Sequence, residues 1–269
     1  MPASATPSET APARRRRELD GARRVAQDAG EYLLGVFGSV TGRPKADGSL
    51  VSEADLEADR RIGAALREAF PGDAVLSEEG DTGYRGEARV WIVDPLDGTT
   101  NFCHGVGVWG VSLALVEGGR PVVGVSHFPP LGQTFTAVRG GGAWEGDRRL
   151  SLPPTAGFDA NDIVAICSRT LERLDLGFQA KGRLLGSAVL NYALVAAGRA
   201  GASIESTAHI WDLAAGWLLV EEAGGVIETL DGAAVWPLAP GDYADAVFPT
   251  IAATGPERLS LTRSRVRPR

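Results

Sequence analysis

The 269-residue sequence has few of the features that mark secreted, disulfide-stabilised or membrane-spanning proteins. It contains two cysteines, Cys103 and Cys167, which are too few for a disulfide framework and lack the spacing of metal ligands. It has no apolar run of about eighteen residues, the length that crosses a bilayer as a helix. We therefore expect free thiols, no membrane span and a cytoplasmic location.

Positive charge is also scarce outside the two ends of the chain. Arginines occupy positions 14–17 near the start and positions 263, 265, 267 and 269 at the end, and without these eight the formal charge falls from −7 to −15. An acidic body disfavours nucleic acid as a partner and provides carboxylates that can bind cations. We interpret the arginine-rich ends as solvated, disordered tails.

The first half of the sequence is typical of an α+β fold. Residues 1–17 combine Ala, Pro, Ser and Thr with four arginines, and no apolar segment follows that would act as a secretory signal, which predicts a disordered leader. Apolar residues recur at helical spacing from Glu18 to Phe37 and from Glu53 to Phe70. The β-rich runs that follow are separated by Gly and Pro turns and predict an antiparallel meander. This half spans residues 18–150.

In the second half, short apolar runs alternate with helical patterns, an arrangement that favours α/β layering. The Pro-Pro segment at Pro153 is the predicted boundary between the halves. The α/β half then spans residues 151–262, and residues 263–269 form the basic tail.

The stretch "WIVDPLDGTTNF" places two aspartates directly after a buried strand. Pro95 favours an extended Asp94, and Asp97-Gly98 favours a tight turn, so two carboxylates project near one point at the end of the strand. Carboxylates crowded in this way repel unless a cation compensates, and the Leu96 carbonyl can add a further oxygen ligand for Mg²⁺ or Mn²⁺. Asp-Pro and Asp-Gly are also common turn dipeptides, so this stretch alone leaves a metal site and an ordinary turn equally open.

Two further acidic clusters carry the same ambiguity. In "VLSEEG", Glu78 and Glu79 follow a short strand, and at most one of them is expected to be a metal ligand, the alternative being a solvated acidic turn. In "HIWDLAAGWLLVEEAGG", Asp212 begins an apolar helical stretch, where an N-cap is the ordinary explanation.

The ordered set "SEE", "WIVDPLDGTTNF" and "WDLAAG…EEAGG" resembles the motifs of the inositol monophosphatase family. The resemblance extends from about Glu18 to about Thr254. It implies a layered αβαβα sandwich of the sugar-phosphatase type, within the α/β class. It also implies a lithium-sensitive phosphatase of small phosphorylated metabolites that uses two or three Mg²⁺ ions, with Mn²⁺ as an alternative, and a homodimer.

The resemblance also implies a set of metal ligands. Glu78 would bind the first metal and help to position the attacking water, and Asp94 would bridge two metals. The Leu96 carbonyl would complete the first site, while Asp97 and Asp212 would hold the second. Such ions can clamp both the attacking and the leaving oxygen of an in-line displacement.

Further catalytic residues follow from the same motifs. Thr99 matches a threonine that orients the water together with an aspartate, for which Asp55 in "DGSLVSEAD" is the counterpart, although Asp55 at a helix start can also be only a cap. Lys45 corresponds to a lysine on the preceding loop, or else belongs to a solvated turn. Independently of the family, Gly98 and Thr99 can offer backbone N–H groups to a phosphate, because glycine permits close approach.

The substrate side is predicted in the second half. Gly186, Ser187 and Ala188 in "LLGSAVLNYALVAAG" lie where a strand gives way to a helix, and the resemblance assigns them to substrate, with an N-cap as the alternative role of Ser187. Glu205 aligns with a glutamate that binds substrate hydroxyls, the alternative being a surface acid at a strand end. Asp212 would contact substrate as well as metal.

These residues predict hydrolysis of a phosphomonoester, with inositol 1-phosphate or a similar polyol phosphate as the favoured substrate. Related proteins act on histidinol phosphate, 3′-phosphoadenosine 5′-phosphate, fructose 1,6-bisphosphate or NADP, and these stay open as alternatives. A different class of function is a regulatory protein that binds partners through the same fold. The three histidines, His104, His127 and His209, are interpreted as structural, because a two-metal hydrolase needs no histidine base.

Overall fold

A computed structural model describes residues 10–45, 48, 50–154, 157–177 and 180–269. The first nine residues of the predicted leader, and part of the loop after Lys45, lie outside the described residues. Among the residues that are described, no helix combines the length and the apolar character needed to cross a bilayer.

The helices of the described chain run, in order, as α1 (Ala11–Val36), α2 (Glu53–Ala69), α3 (Thr99–Cys103), α4 (Ser168–Arg173), α5 (Ala188–Ala196), α6 (Ile210–Glu222) and α7 (Pro256–Arg265). The strands are β1 (Arg43–Pro44), β2 (Leu50–Val51), β3 (Ala74–Ser77), β4 (Gly83–Tyr84), β5 (Arg89–Asp97), β6 (Gly110–Glu117), β7 (Arg120–Phe128), β8 (Gln133–Val138), β9 (Gly142–Glu145), β10 (Arg148–Leu150), β11 (Ile163–Ile166), β12 (Leu174–Leu176), β13 (Lys181–Leu184), β14 (Ala202–Glu205), β15 (Val226–Thr229), β16 (Gly241–Asp242), β17 (Thr250–Ala253) and β18 (Val266–Pro268).

Two sheets organise the chain. The first has the order β10-β9-β8-β7-β6-β5-β3, in which every neighbouring pair from β5 to β10 is antiparallel, so the predicted meander is confirmed. Only β3 joins it in parallel, beside β5. The second sheet has the mixed order β13-β11-β14-β17-β15. The first sheet ends at Leu150 and the second begins at Ile163, on either side of the predicted boundary.

The helices form three layers around these sheets. α1 and α2 cover one face of the first sheet, and α5 and α6 fill the space between the two sheets. On the far face of the second sheet lie α4 and α7. The order of layers is therefore αβαβα, which confirms the layered α/β fold expected from the sequence.

Burial on all sides explains why the central strands and helices have almost entirely apolar sequences. β5, β6 and β7 are covered on both faces, so their residues are apolar almost without interruption. α5 and α6 are buried nearly all round and pack closely at Gly216, where a Cβ would lie 2.7 Å from the Cβ of Tyr192. The middle helical layer is thus fixed against both sheets, and it carries Asp212 on α6 and the Ser187–Ala188 start of α5.

The N-terminal arginines differ from the prediction, because α1 begins at Ala11 instead of near Glu18. Glu18 is only 1% exposed and forms ion pairs with Arg15 at 2.8 Å and with Arg89 of β5 at 2.8 Å. Arg14 and Arg15 also contact Glu117 at the end of β6. The prediction of disorder is therefore wrong for residues 11–17, which are helical and whose arginines pair with acidic groups at the edge of the sheet.

The prediction of a disordered basic tail at residues 263–269 is wrong as well. α7 continues to Arg265, and β18 pairs with β12 in antiparallel register. Arg263 donates to the carbonyl of Leu230 at 2.8 Å, and Arg269 bonds to Asp175 at 2.7 Å. These arginines are held by specific acceptors on neighbouring elements. The composition of the tail did not indicate those acceptors.

The buried ionic cluster around Arg89 leads to a test of stability. Arg89→Ala removes one of the arginines that pair with Glu18, which keeps Arg15, and also removes the arginine that pairs with Asp73, whose carboxylate lies 2.7 Å from the guanidinium. Loss of one partner leaves buried carboxylates short of positive charge, so we expect a loss of about 3 kcal/mol in the free energy of unfolding, measured with urea. Arg85→Ala breaks an exposed pair with Asp81 and should leave the midpoint unchanged. Equal midpoints for the two variants would contradict a structural role for the cluster.

Candidate active site

The end of β5 is shaped by its own sequence. β5 pairs with β6 as far as Asp94, and pairing resumes only at Asp97, because Pro95 has no N–H to donate and the strand bulges there. The Leu96 N–H turns back to Asp94 Oδ1 at 3.0 Å. Both aspartates are buried, and the bulge brings them to the same end of the strand.

Gly98 then turns the chain from β5 into α3. Its φ of +87° lies in the left-handed region, and a Cβ at this position would lie 2.8 Å from the carbonyl oxygen of Val108. A glycine is therefore needed for both conformation and space. This turn keeps Asp97, before it, and Thr99, after it, at the same end of β5.

Asp212 in the first turn of α6 completes a group of three carboxylates. Oxygen atoms of Asp94, Asp97 and Asp212 all lie within 4.8 Å of one another. The backbone N–H of His209 donates to Asp212 Oδ2 at 2.7 Å, so Asp212 also caps its helix. Asp212 is therefore both a helix cap and a member of the acidic cluster.

The pKa values of these groups show the cost of crowding them. Burial, and then the charges of neighbouring carboxylates, raises the pKa of both Asp94 and Asp212 well above the ordinary value. Burial also raises the pKa of Asp97 to about 6. Each shift reports that ionised carboxylates are unfavourable here unless positive charge is supplied.

One atom points directly to a cation. Asp94 Oδ2 is buried and has no hydrogen-bond partner among the described residues. A buried carboxylate oxygen without a donor is costly, whereas a hard divalent ion would satisfy it and offset its neighbours. The three aspartates therefore fit the metal that the sequence predicts.

Glu78 and Glu79 lie beside this group and both contact Lys45. The Lys45 ammonium is 2.6 Å from Glu78 Oε1 and also bonds to Glu79. Burial raises the pKa of Glu78 to about 7 although the Lys45 charge acts against the shift, and the charge of Glu78 in turn raises the pKa of Asp94. Glu78 thus lies within electrostatic reach of the aspartates but outside the group of three, and its role as a metal ligand stays a prediction.

Asp55 and Thr99 come together as the sequence suggested. Asp55 caps α2 by accepting the backbone N–H of Ser52 at 2.8 Å. Its other oxygen accepts the Thr99 hydroxyl at 2.7 Å, and that hydroxyl lies 3.0 Å from the Leu96 carbonyl. The cap and the contact with Thr99 coexist, and the pair adjoins the bulge of β5.

On the substrate side, the start of α5 is attached to a predicted metal ligand. Ser187 donates its hydroxyl to Asp97 Oδ2, and the Ala188 N–H donates to Asp97 Oδ1 at 3.1 Å. The Ser187 oxygen also accepts the N–H of Leu190 at 3.0 Å, which makes Ser187 the N-cap. Gly186, just before it, is exposed and has a φ of +73°.

Glu205 at the end of β14 is buried, with 1% of its surface exposed, so it is not a surface acid. Asn191 on α5 donates to Glu205 Oε1 at 2.6 Å. Burial raises the pKa of Glu205 well above its ordinary value, and the nearby Cys167 thiol contributes to the shift. The side chain is therefore held in one orientation inside the second half.

Sequence reasoning missed two asparagines that organise this region. Asn101 lies in the stretch "DGTTNF" and bridges two loops, and Asn191 is a buried amide on an otherwise apolar helix. The isolated polar residue in "AVLNYALVAA" was a signal that could have identified Asn191. Nothing in the local sequence of Asn101 indicated its distant partners.

The chain was compared with known proteins. A model of the inositol monophosphatase family matches residues 15–259. The chain is 39% identical over 224 residues to the inositol-1-monophosphatase of Mesorhizobium japonicum, which covers 77% of this chain and 84% of the relative. It is 35% identical over 221 residues to the Thermotoga maritima protein named fructose-1,6-bisphosphatase/inositol-1-monophosphatase, with 80% and 85% covered. The solved structure of Thermotoga maritima IMPase matches with a TM-score of 0.78 at 30% identity, covering 92% of this chain and 95% of that chain.

The carboxylate group predicts how metal affects stability. Because the folded-state pKa values of Asp97 and Glu78 are raised to about 6 and about 7, these groups stabilise the metal-free protein most below their ordinary pKa values near 4. That contribution is lost as the pH rises through 6 and 7. We therefore expect Mg²⁺ to raise the melting temperature more at pH 7.5 than at pH 5, measured by differential scanning fluorimetry against a chelator.

Asp94→Asn supplies the matched control for this experiment. The amide oxygen can still accept the Leu96 N–H, while one negative charge is removed from the group. The variant should melt higher than the wild type in chelator at pH 7.5 and should lose most of the response to Mg²⁺. A full Mg²⁺ response in Asp94→Asn would contradict metal binding by this group.

Proposed function

Because the chain belongs to the inositol monophosphatase family, we propose that it hydrolyses a small-molecule phosphomonoester, in first place inositol 1-phosphate or a similar polyol phosphate. The products are the alcohol and inorganic phosphate. The observation that carries the proposal is the convergence of Asp94, Asp97 and Asp212 from β5 and α6 within 4.8 Å. The orphaned oxygen of Asp94 adds to it, since it marks the group as incomplete without a cation.

In this proposal Glu78, Asp94, Asp97, Asp212 and the Leu96 carbonyl hold two or three Mg²⁺ ions, with Mn²⁺ as an alternative. When bound, such ions offset the charge of the phosphate and make water a stronger nucleophile at neutral pH. The protein itself contributes to the reaction by holding the metal ligands in place. Three carboxylates are fixed by β5 and by the first turn of α6, so their arrangement needs little rearrangement when the ions bind.

Thr99 and Asp55 position the attacking water. The Thr99 hydroxyl donates its proton to Asp55, so the lone pairs of its oxygen are free to accept a hydrogen bond from water. Asp55 is itself held by the Ser52 N–H, which fixes the direction of the hydroxyl. Glu78, whose charge acts on Asp94, would help to place the water. The Lys45 ammonium, which now pairs with Glu78 and Glu79, would approach the phosphate.

The remaining residues bind the substrate. Gly98 and Thr99 would offer backbone N–H groups to the phosphate at the turn between β5 and α3. Glu205 would accept hydroxyl groups of the alcohol, beside Asp212. Exposed backbone at Gly186, followed by Ser187 and Ala188, would line the opposite wall.

A polyol phosphate is favoured over a nucleotide with two phosphates because few basic residues surround these groups. The relatives differ in what their names say they act on. One from Chlorobaculum parvum, 35% identical over 222 residues, is named histidinol-phosphatase, and the Thermotoga maritima relative is named for fructose 1,6-bisphosphate as well as inositol 1-phosphate. Histidinol phosphate, fructose 1,6-bisphosphate, 3′-phosphoadenosine 5′-phosphate and NADP are the alternative substrates.

A regulatory protein is the second candidate function. A relative from Pseudomonas aeruginosa, 36% identical over 232 residues and covered over 86% of its length, is named Nus factor SuhB. A chain of this kind would bind a partner through the same fold. The homodimer and the cytoplasmic location also stay predictions.

A phosphate-release panel tests the proposed function. We expect the purified protein with Mg²⁺ to release phosphate fastest from inositol 1-phosphate among the five candidate substrates, and Li⁺ to inhibit the release. Malachite-green detection of phosphate measures the rates. No release from any candidate would overturn the enzymatic proposal and favour the regulatory one.

Two substitutions locate the reaction in the protein. Asp94→Asn should lower kcat by roughly a thousandfold, the several kcal/mol that metal ions supply to a developing negative charge. His127→Ala is the control, because His127 bonds to Thr134 between neighbouring strands and has no proposed role in the reaction. Similar activity of the two variants would remove the aspartate group from the mechanism.

A further inference from the structure

The segment Leu185–Ala188, here called the latch, joins the second half of the chain to the turn after β5. Four consecutive residues of the latch contact that turn or α3. The carbonyl oxygens of Leu185 and Gly186 face the side-chain nitrogen of Asn101 at 2.7 and 3.3 Å. The hydroxyl of Ser187 and the N–H of Ala188 face Asp97. The latch therefore presents two acceptors followed by two donors.

The two partners of the latch have matching chemistry. The ionised form of Asp97 can only accept hydrogen bonds, and the Nδ2 atom of Asn101 can only donate them. Asn101 Nδ2 also lies 2.7 Å from the carbonyl oxygen of Val108, so one amide group joins both the latch and the loop after α3. These contacts span 84 residues between Asn101 and Leu185.

The backbone packs closely around the Asn101 side chain. A Cβ on Gly186 would lie 2.9 Å from Asn101 Nδ2, and a Cβ on Gly98 would lie 2.8 Å from the Val108 carbonyl oxygen and 3.3 Å from that of Gly186. Both glycines have positive φ values. The backbone of the turn and the backbone of the latch thus approach closely, and the Asn101 amide lies between their carbonyl groups.

We propose that Asn101 is a positioning residue that sets the distance between the phosphate side of the site and its alcohol side. The proposal rests on the proposed function. Gly98 and Thr99, which are proposed to bind the phosphate, precede Asn101 closely in the sequence. The side chain of Asn101 contacts the latch, which ends at Ala188. When the donor of Asn101 is lost, the carbonyl oxygens of Leu185 and Gly186 lose their partner, and Ala188 moves relative to Asp97.

This role affects binding of the substrate more than the chemical step. Asp94, Asp212 and the Thr99–Asp55 pair are held by their own contacts on β5, α6 and α2, none of which passes through Asn101. Among the site carboxylates, Asp97 alone is bonded to the latch among the described residues. Ser187 and Ala188, in contrast, belong to the latch, and Asn101 bonds to the two residues that precede them. Loss of the Asn101 donor should therefore raise KM for the phosphomonoester while kcat changes little.

The test compares Asn101→Asp with Asn101→Ala. Aspartate has the shape of asparagine but places a negative oxygen against three carbonyl oxygens, whereas alanine only removes the donor. We expect Asn101→Asp to raise KM by about tenfold or more and Asn101→Ala to raise it less, with kcat of both within about threefold of wild type. Asn161→Asp is the matched control, because Asn161 is exposed and its side-chain oxygen accepts from Lys181, a contact that a carboxylate keeps.

Hydrogen exchange of the full chain gives a readout that does not depend on activity. Asn101→Asp should speed exchange at Ala188 and Leu190, whose N–H groups are bonded to Asp97 and Ser187, and should leave α2 unchanged. If the wild type releases no phosphate from any substrate, the proposed function fails while the exchange data still decide the role of Asn101. If Asn101→Asp does not fold, the exchange of Asn101→Ala decides it.

Three results would overturn the proposal. The first is a larger KM change in Asn101→Ala than in Asn101→Asp, which would mean that Asn101 only fills space. The second is a fall in kcat with KM unchanged, which would place Asn101 in the chemical step. The third is unchanged exchange at Ala188 and Leu190 in the variant that folds.

Discussion

The repulsion among Asp94, Asp97 and Asp212 is the constraint on which the rest of the site depends. A fold that places three carboxylates within 4.8 Å of one another, two of them buried and the third half-buried, is tolerable only with added protons or added positive charge. The bulge at Pro95, the left-handed turn at Gly98 and the cap at the start of α6 all act to hold these groups together. The middle layer of helices is packed against both sheets, so the carboxylates cannot relax apart.

The same constraint links the two halves of the molecule. Asp97 comes from the first half, yet both of its oxygens accept hydrogen bonds from the start of α5 in the second. Asp212 belongs to the second half, and one of its oxygens lies within 4.8 Å of an oxygen of Asp94. The affinity of the aspartates for a bound group therefore depends on the positions of α5 and α6. Substrate binding and cation binding are expected to depend on one another for this reason.

The sequence predicted the layered α/β fold because that fold follows from local patterns, and its motifs also named the acidic residues that the structure brings together. Alternating apolar runs indicated the strands, and the motifs around Asp94 and Asp212 indicated the acidic groups. The arginine-rich segments 14–17 and 263–269 were predicted wrongly, because the order of Arg14 and Arg263 depends on Glu117 and Leu230, which are far away in sequence. Asn101 was missed for the same reason: its acceptors at Val108 and Leu185 exist only in the folded chain.

The central claim is that the three aspartates form a divalent-cation site. Anomalous diffraction from crystals soaked in Mn²⁺ tests it most directly, because the ion is located without reference to activity. The account predicts an anomalous peak in contact with oxygens of Asp94, Asp97 and Asp212, which disappears in crystals of Asp94→Asn. Peaks found only elsewhere on the protein, with the aspartate group empty, would contradict it.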